Sequence, residues 1–291
     1  MISVFGSANM DLVAYTAVVP GRGETVTGHA FRTIPGGKGA NQAVAAARAG
    51  AATCFVGAVG DDAFGPVMRD TLAGAGVDVS RLRVVPGSSG IAHIVVDDDG
   101  GNSIIVIPGA NGTITAPSDE DLAVIDRSDA LLLQLELPME AVVAAARRAR
   151  VPVVLTPAPV QDLPRELLGA VDLIVPNEHE AAAITGLADP EEALKALLDL
   201  VPEAVITLGA EGALYGARTG RPLRVPAVPV RAVDTTAAGD TFVGALAVAR
   251  AEGRPQEQAL RFAATAAALS VQRPGASTSM PTRPEIEAAL A

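Results

Sequence analysis

Short runs rich in Val, Ile and Leu alternate along this chain with longer Ala-rich stretches whose apolar residues recur at helical spacing. The runs at 2–5, 53–59, 130–135, 153–156, 173–175 and 204–208 read as strands. Those at 41–49, 65–75, 139–149, 190–200, 240–252 and 256–271 read as helices, with a terminal helix over 281–290. Gly50 and Gly76 fall just past two of them, where a left-handed residue closes a helix. Strand-helix alternation of this kind predicts an α/β fold, a doubly wound and mainly parallel sheet flanked by helices.

Two stretches depart from the alternation. The first carries Val13, Tyr15 and Val18, then an extended run over 25–31, with Pro20, Gly21 and Gly23 between. In the second, 91–96 and 103–107 flank Asp97, Asp98, Asp99, Gly100, Gly101 and Asn102, a strong hairpin turn. These strands predict a small antiparallel β lid at about 10–35 and 89–107, inserted into a single domain over 1–291. Periodicity alone equally allows two edge hairpins packed on the main sheet.

Nothing in the chain reads as a linker, and 49% hydrophobic residues supply a sizeable core. With 33 acidic against 22 basic residues the net charge is -11, and the longest basic cluster is Arg147-Arg148. Nucleic acid and anionic membranes are therefore not expected partners. Cys54 is the only cysteine, so intrachain disulfides and CxxC sites are excluded, and it reads as a small buried hydrophobe. The first residues lack a basic region followed by a long apolar stretch, and no 18-residue apolar run occurs, so a cytoplasmic protein is expected. His29, His93 and His179 are scattered without zinc-ligand spacing.

Two glycine-dense loops carry the candidate chemistry. Gly36, Gly37, Lys38, Gly39, Ala40, Asn41 lead straight into a helix and lack the spacing of a Walker A or dinucleotide loop. Alone, this loop reads most simply as a tight turn before a helix capped by Asn41. The second loop, Thr235, Thr236, Ala237, Ala238, Gly239, precedes Asp240 and a long helix. Its free amides and helix dipole suit an anion such as a phosphoryl group, and Asp240 in the first turn suits a base for a hydroxyl. An acidic residue there is also favoured by the dipole alone.

GGKGANQAVAAARAGA and DTTAAGDTFVGAL resemble the two signature segments of the ribokinase-like carbohydrate kinases, the PfkB family. Between them GSANMD, PGAN, QLE, PNEHEA and TLGAEG follow in the family's order, so the likeness covers nearly the whole chain. GSANMD, GGKGANQA, the intact AAGDTF and the C-terminal Arg273, Gly275 and Ser279 point to the branch that phosphorylates ribose.

The resemblance implies roles for individual residues. A small sugar would be bound by Asn9, Met10, Asp11, Gly37, Lys38, Gly39, Ala40, Asn41 and Glu136, the last at the end of a predicted strand. Asp240 would be the base, and Ala237, Ala238 and Gly239 would supply the amides that stabilise charge on the transferred group. ATP with Mg2+ would meet Asn177 and Glu180 and lie along Thr207, Leu208, Gly209, Ala210, Glu211 and Gly212, with Ala264 near the adenine. A monovalent cation, K+, would sit among Asp234, Thr236, Ser270, Arg273, Gly275 and Ser279. The lid would exclude water and build a homodimer. On the residues alone, Asn177 could simply cap a helix and 207–212 could be a turn.

Two positions depart from the family pattern: Ala264 stands where a polar residue is usual near adenine, and Thr156 replaces the Asn of an N-P-A-P segment. A sibling kinase for deoxyribose, fructose or a nucleoside remains open, as does a silent sugar or nucleotide sensor.

Overall fold

The computed structural model describes residues 1–291. The chain opens with β1 (Ile2–Phe5), β2 (Asn9–Thr16) and β3 (Gly28–Gly36), followed by α1 (Lys38–Arg48), β4 (Thr53–Gly60), α2 (Phe64–Gly74) and β5 (Val77–Val85). A hairpin follows, β6 (Gly90–Val96) and β7 (Asn102–Ile107), then α3 (Asp119–Ile125), β8 (Ala130–Leu133), α4 (Met139–Arg148), β9 (Val153–Leu155), α5 (Arg165–Leu168) and β10 (Leu173–Ile174). The last part holds α6 (Glu178–Thr185), α7 (Pro190–Leu200), β11 (Glu203–Thr207), β12 (Ala213–Ala217), β13 (Leu223–Val225), α8 (Ala238–Ala251), α9 (Gln256–Ser270) and α10 (Arg283–Leu290).

Nine strands form the main sheet in the order β13-β12-β11-β10-β9-β8-β1-β4-β5, parallel except for the β11-β12-β13 edge. Successive side chains of a strand point to opposite faces, and the core divides accordingly. Ile2 and Val4 of β1 pack toward α1, α2, α8, α9 and α10, whereas Phe5 packs toward α3, α4, α5, α6 and α7. Burial on both faces explains why these strands are continuous apolar runs; all eight residues of β4 are buried.

The remaining strands make a separate four-stranded sheet, β3-β2-β6-β7. Each hairpin is antiparallel and the two join through a parallel β2·β6 pairing, with Asn9 opposite Gly90. The β7 edge of this sheet is bare on both faces, and Phe31 and Ile105, which share a face, are 63% and 67% exposed. The two-hairpin alternative of packing against the main sheet is therefore not the one adopted. No helix is long and apolar enough to cross a membrane.

The chain leaves β1 toward β4 on one side and returns through β8 on the other, so the winding reverses between β1 and β8. In open α/β sheets ligands collect beyond the carboxyl ends of strands at such a reversal. Both glycine loops lie there.

Candidate active site

Glu136 organises one side. It sits three residues beyond Leu133, the last residue of β8, rather than at the strand end the sequence suggested. Its carboxylate accepts from Ser7 Oγ, from the main-chain N–H of Lys38 at 2.8 Å and from Asn9 Nδ2 at 3.5 Å. Asn9 Oδ1 accepts in turn from Asn111 Nδ2 at 2.8 Å, and Asn111 also bonds the main chain of Ala8. The glycine loop is pressed against this cluster. Gly37 has φ +93°, and a Cβ there would lie 2.7 Å from the Asn9 nitrogen; at Gly36 a Cβ would lie 2.5 Å from the Asp11 carboxylate. Met10, Gly39 and Ala40 are all buried.

α1 begins at Lys38 with Gly37 as its N-cap, so Asn41 lies inside the helix instead of capping it. That frees its side chain. Asn41 Nδ2 donates to Asp240 Oδ2 at 3.2 Å, and Gln42 Nε2 donates to Asp240 Oδ1 at 3.1 Å. The close approach of α1 and α8 makes this possible: a Cβ on Gly244, one turn after Asp240, would lie 2.6 Å from Ala45 Cβ. Asp240 stands in the first turn of α8, whose N-cap Ala237 is left-handed at φ 58° and offers no side-chain cap. Of the amides the sequence offers, that of Ala238 donates to the Thr235 carbonyl at 3.2 Å, while those of Ala237, Gly239 and Asp240 are left for a ligand.

The charges are closely coupled. Burial pushes Asp240 up to about 6, while Lys38 and the amides of Gln42 and Asn41 pull the other way. Burial, reinforced by Glu136, pushes Asp11 up to about 7. For Lys38 burial works to lower the pKa, but Asp240, Glu136, Glu180 and Asp11 together carry it above the usual lysine range. A carboxylate near 6 can hold or release a proton at neutral pH, as general base chemistry requires.

Beyond Asp240 a cleft of about 180 Å³ runs past Ala238, Gly239, Thr156, Thr207, Asn177 and Glu180. Asn177 and Glu180 form a reciprocal capping box at the start of α6, so the helix-capping reading of Asn177 holds, and both also face the cleft. Only one Glu180 oxygen is engaged by the cap, and burial raises its pKa despite Asn177 and Lys38. A half-satisfied carboxylate of this kind fits a hard divalent cation. Main-chain pairing of Asn177 with Thr207 leads to a 3₁₀ turn over Gly209–Glu211 and to Gly212 at φ +99°. Leu208 is buried, Ala210 is exposed, and Glu211 points outward to Arg224 at 2.6 Å. Ala264 is buried within α9.

Beside the second loop, Asp234 accepts from the N–H groups of Thr236 at 2.9 Å and Gly275 at 2.8 Å. Those donors hold its pKa low against the effect of burial. The Ser270 and Ser279 hydroxyls donate to main-chain carbonyls and keep their oxygen lone pairs, whereas the Arg273 side chain pairs with Glu285 and is engaged elsewhere. Asp234, peptide carbonyls and these hydroxyl oxygens make an oxygen set suited to a large monovalent ion.

Ser7, Gln42, Asn111 and Gln134 sit in segments that the sequence marks, yet nothing in a one-dimensional pattern gives them roles. Each is buried and polar inside an otherwise apolar motif, which is the signal that could have found them. A larger groove of about 510 Å³ between α4 and α5 lies at the opposite ends of the strands and gathers no converging polar groups of this kind.

Comparison with known proteins agrees with this geometry. The pattern of the pfkB family carbohydrate kinases matches residues 1–283. A ribokinase of Bacillus subtilis is 45% identical over 295 residues, covering 99% of each chain, and one of Schizosaccharomyces pombe is 42% identical, covering 98% of this chain and 96% of that one. The structure of Arabidopsis thaliana ribokinase complexed with ribose and ATP superposes with a TM-score of 0.94 at 36% identity, covering 99% of this chain and 98% of that one.

Proposed function

The chain belongs to the pfkB family of carbohydrate kinases, and from that premise we propose that it transfers the γ-phosphoryl group of ATP to the 5-hydroxyl of ribose, giving ribose 5-phosphate and ADP. One observation carries this reading: the buried Asp240 carboxylate lies beside uncapped helix amides, between the polar cluster of Glu136 and the cleft.

In this reading Asn9, Asp11, Lys38, Asn41 and Glu136 hold sugar hydroxyls by side chain, and Met10, Gly37, Gly39 and Ala40 by main chain. Asp11, near half-ionised at neutral pH, can donate or accept toward a hydroxyl. Asp240 takes the proton of the attacking hydroxyl as the new O–P bond forms and the bond to ADP breaks in line. The free amides of Ala237 and Gly239 stabilise charge on the transferred group, and that of Ala238 joins them only by leaving the Thr235 carbonyl. The nucleotide lies along 207–212 with its base toward Ala264. Magnesium bound with ATP neutralises phosphate charge, and Glu180 with Asn177 would hold it. K+ would bind at Asp234 and the peptide oxygens of 236, 270, 273, 275 and 279, steadying the amide loop.

The four-stranded sheet closes over the sugar as a lid, and its bare face, with Phe31, Ile105 and Ile107, pairs with that of a second copy. A single buried cysteine suits a reducing cytoplasm.

The test is ADP release over a panel of ribose, deoxyribose, fructose and a nucleoside, with Asp240→Asn as control. Ribose is expected to give the highest kcat/KM, and Asp240→Asn to lower kcat by roughly 10²- to 10⁴-fold. A better sugar on the panel replaces ribose, whereas wild type no faster than the control makes the protein a sensor.

A further inference from the structure

Asp240 does not fix its own orientation. Behind it lies a chain of two side-chain amides and a hydroxyl, drawn from three parts of the fold. Gln134, just past β8, donates from Nε2 to Gln42 Oε1 at 2.6 Å. Gln42 Nε2 then donates in two directions, to Asp240 Oδ1 at 3.1 Å and to Thr156 Oγ1 at 3.0 Å, just past β9. Gln42 and Gln134 are 0% and 1% exposed, so water does not substitute for a lost partner.

From this arrangement we propose that Gln42, locked by Gln134 and Thr156, is a positioning residue that sets the orientation of the Asp240 carboxylate and keeps it aimed into the cleft. The inference rests on reading Asp240 as the base. Only one of the two flips of the Gln42 amide satisfies the network. Turned over, its oxygen would face the Asp240 carboxylate and its nitrogen would face the Gln134 donor, two repulsive contacts in a buried site. The Asp240 carboxylate, which can only accept, selects this flip, Gln134 Nε2 donates to the oxygen on the other side, and Thr156 takes the second hydrogen so that the amide plane cannot rotate away. Gln42 itself does not line the cleft, and its side-chain hydrogen bonds go to Asp240, Thr156 and Gln134.

This also accounts for Thr156. Its hydroxyl accepts from Gln42, so its own proton is directed elsewhere, and the residue borders the nucleotide cleft. The charged groups facing Asp240 are Lys38 on α1, Glu136 after β8 and Asp11 on β2, with Glu180 on α6 facing Lys38. None of them is hydrogen-bonded to Gln42, so their influence stays when Gln42 is changed.

The test compares wild type with Gln42→Leu, Thr156→Val and Thr156→Ser at saturating ribose and Mg-ATP across pH. Gln42→Leu is expected to lower kcat roughly ten- to a hundredfold, with KM for ribose changed less than about twofold. The acid limb of its kcat profile moves upward, because a donor to the ionised carboxylate is gone. Thr156→Val shifts both readouts in the same direction by less, and Thr156→Ser restores them. A Gln42→Leu profile with an unmoved acid limb, or Thr156→Ser behaving like Thr156→Val, overturns the proposal. Titration of the Asp240 carboxyl by carbon NMR reads the same shift without turnover. A wild type inactive on every sugar would therefore defeat the kinase reading while the NMR shift still decides the role of Gln42.

Discussion

The loop at 36–39 and the loop at 235–239 face the same cleft, and both are made of small residues for different reasons. At Gly37 and Gly39 an added Cβ would lie 2.7 Å from Asn9 N and 2.6 Å from Ser7 N, so protein backbone already fills the space. At Gly239 an added Cβ meets nothing within 4 Å. Smallness in the first loop therefore serves packing, which brings Lys38 and Asn41 onto Glu136 and Asp240. In the second it leaves room for something the folded chain does not itself supply, as an anion-binding helix terminus needs.

Substitutions at matched positions would break this contrast if it is wrong. The largest effect is expected from Gly39→Ala, which forces backbone against backbone and should cost about 3 kcal/mol or more of stability, measured by urea unfolding. Next comes pH. Asp11 and Asp240 have folded pKa values of about 7 and about 6, above the ordinary 3.8, so the folded chain binds more protons than the unfolded one in between. The stability they contribute is thus present at low pH and falls as pH rises from about 4 to about 7. The difference between wild type and Asp240→Asn isolates one carboxyl, and the fall should be shallower in the variant, as followed by Tm. Gly239→Ala should leave Tm unchanged within about 0.5 kcal/mol of stability, yet lower kcat/KM for ATP by roughly tenfold. Were Gly239→Ala to unfold the protein while Gly39→Ala did not, the two loops would have exchanged roles. The smallest effect on turnover is expected from Ile105→Asp on the bare face of the four-stranded sheet, where the pairing proposed above predicts that wild type sediments as a dimer and the variant as a monomer with kcat spared.

The parallel strands were legible because burial on both faces makes them unbroken apolar runs, as in β1, β4 and β8. β5 was not read from sequence, since Asp78, Ser80, Arg81 and Arg83 interrupt it; the arginines fold back to pair with buried Asp121 at the start of α3. β12 and β13 were missed because an antiparallel edge carries a weaker signal, with Gly216 packed under Leu194 and Leu198. Within the site, Asp240, Asn41 and Glu136 were found through motifs, and the structure brings them together. Gln42 and Gln134 were not assigned, because their meaning lies in a contact across 92 positions that only the β1-β8 reversal creates.

Three carboxylates, Asp11, Glu136 and Asp240, converge on the space beside the first loop against the single ammonium of Lys38. A guest already bearing a phosphate or carboxylate would carry like charge into a poorly screened interior, where repulsion is several-fold stronger than in water. With the sugar placed there as proposed, uncharged metabolites would be sorted from acidified ones before shape or hydroxyl pattern is consulted, and the newly made ester would be pushed toward the exit by the same walls that welcomed its precursor.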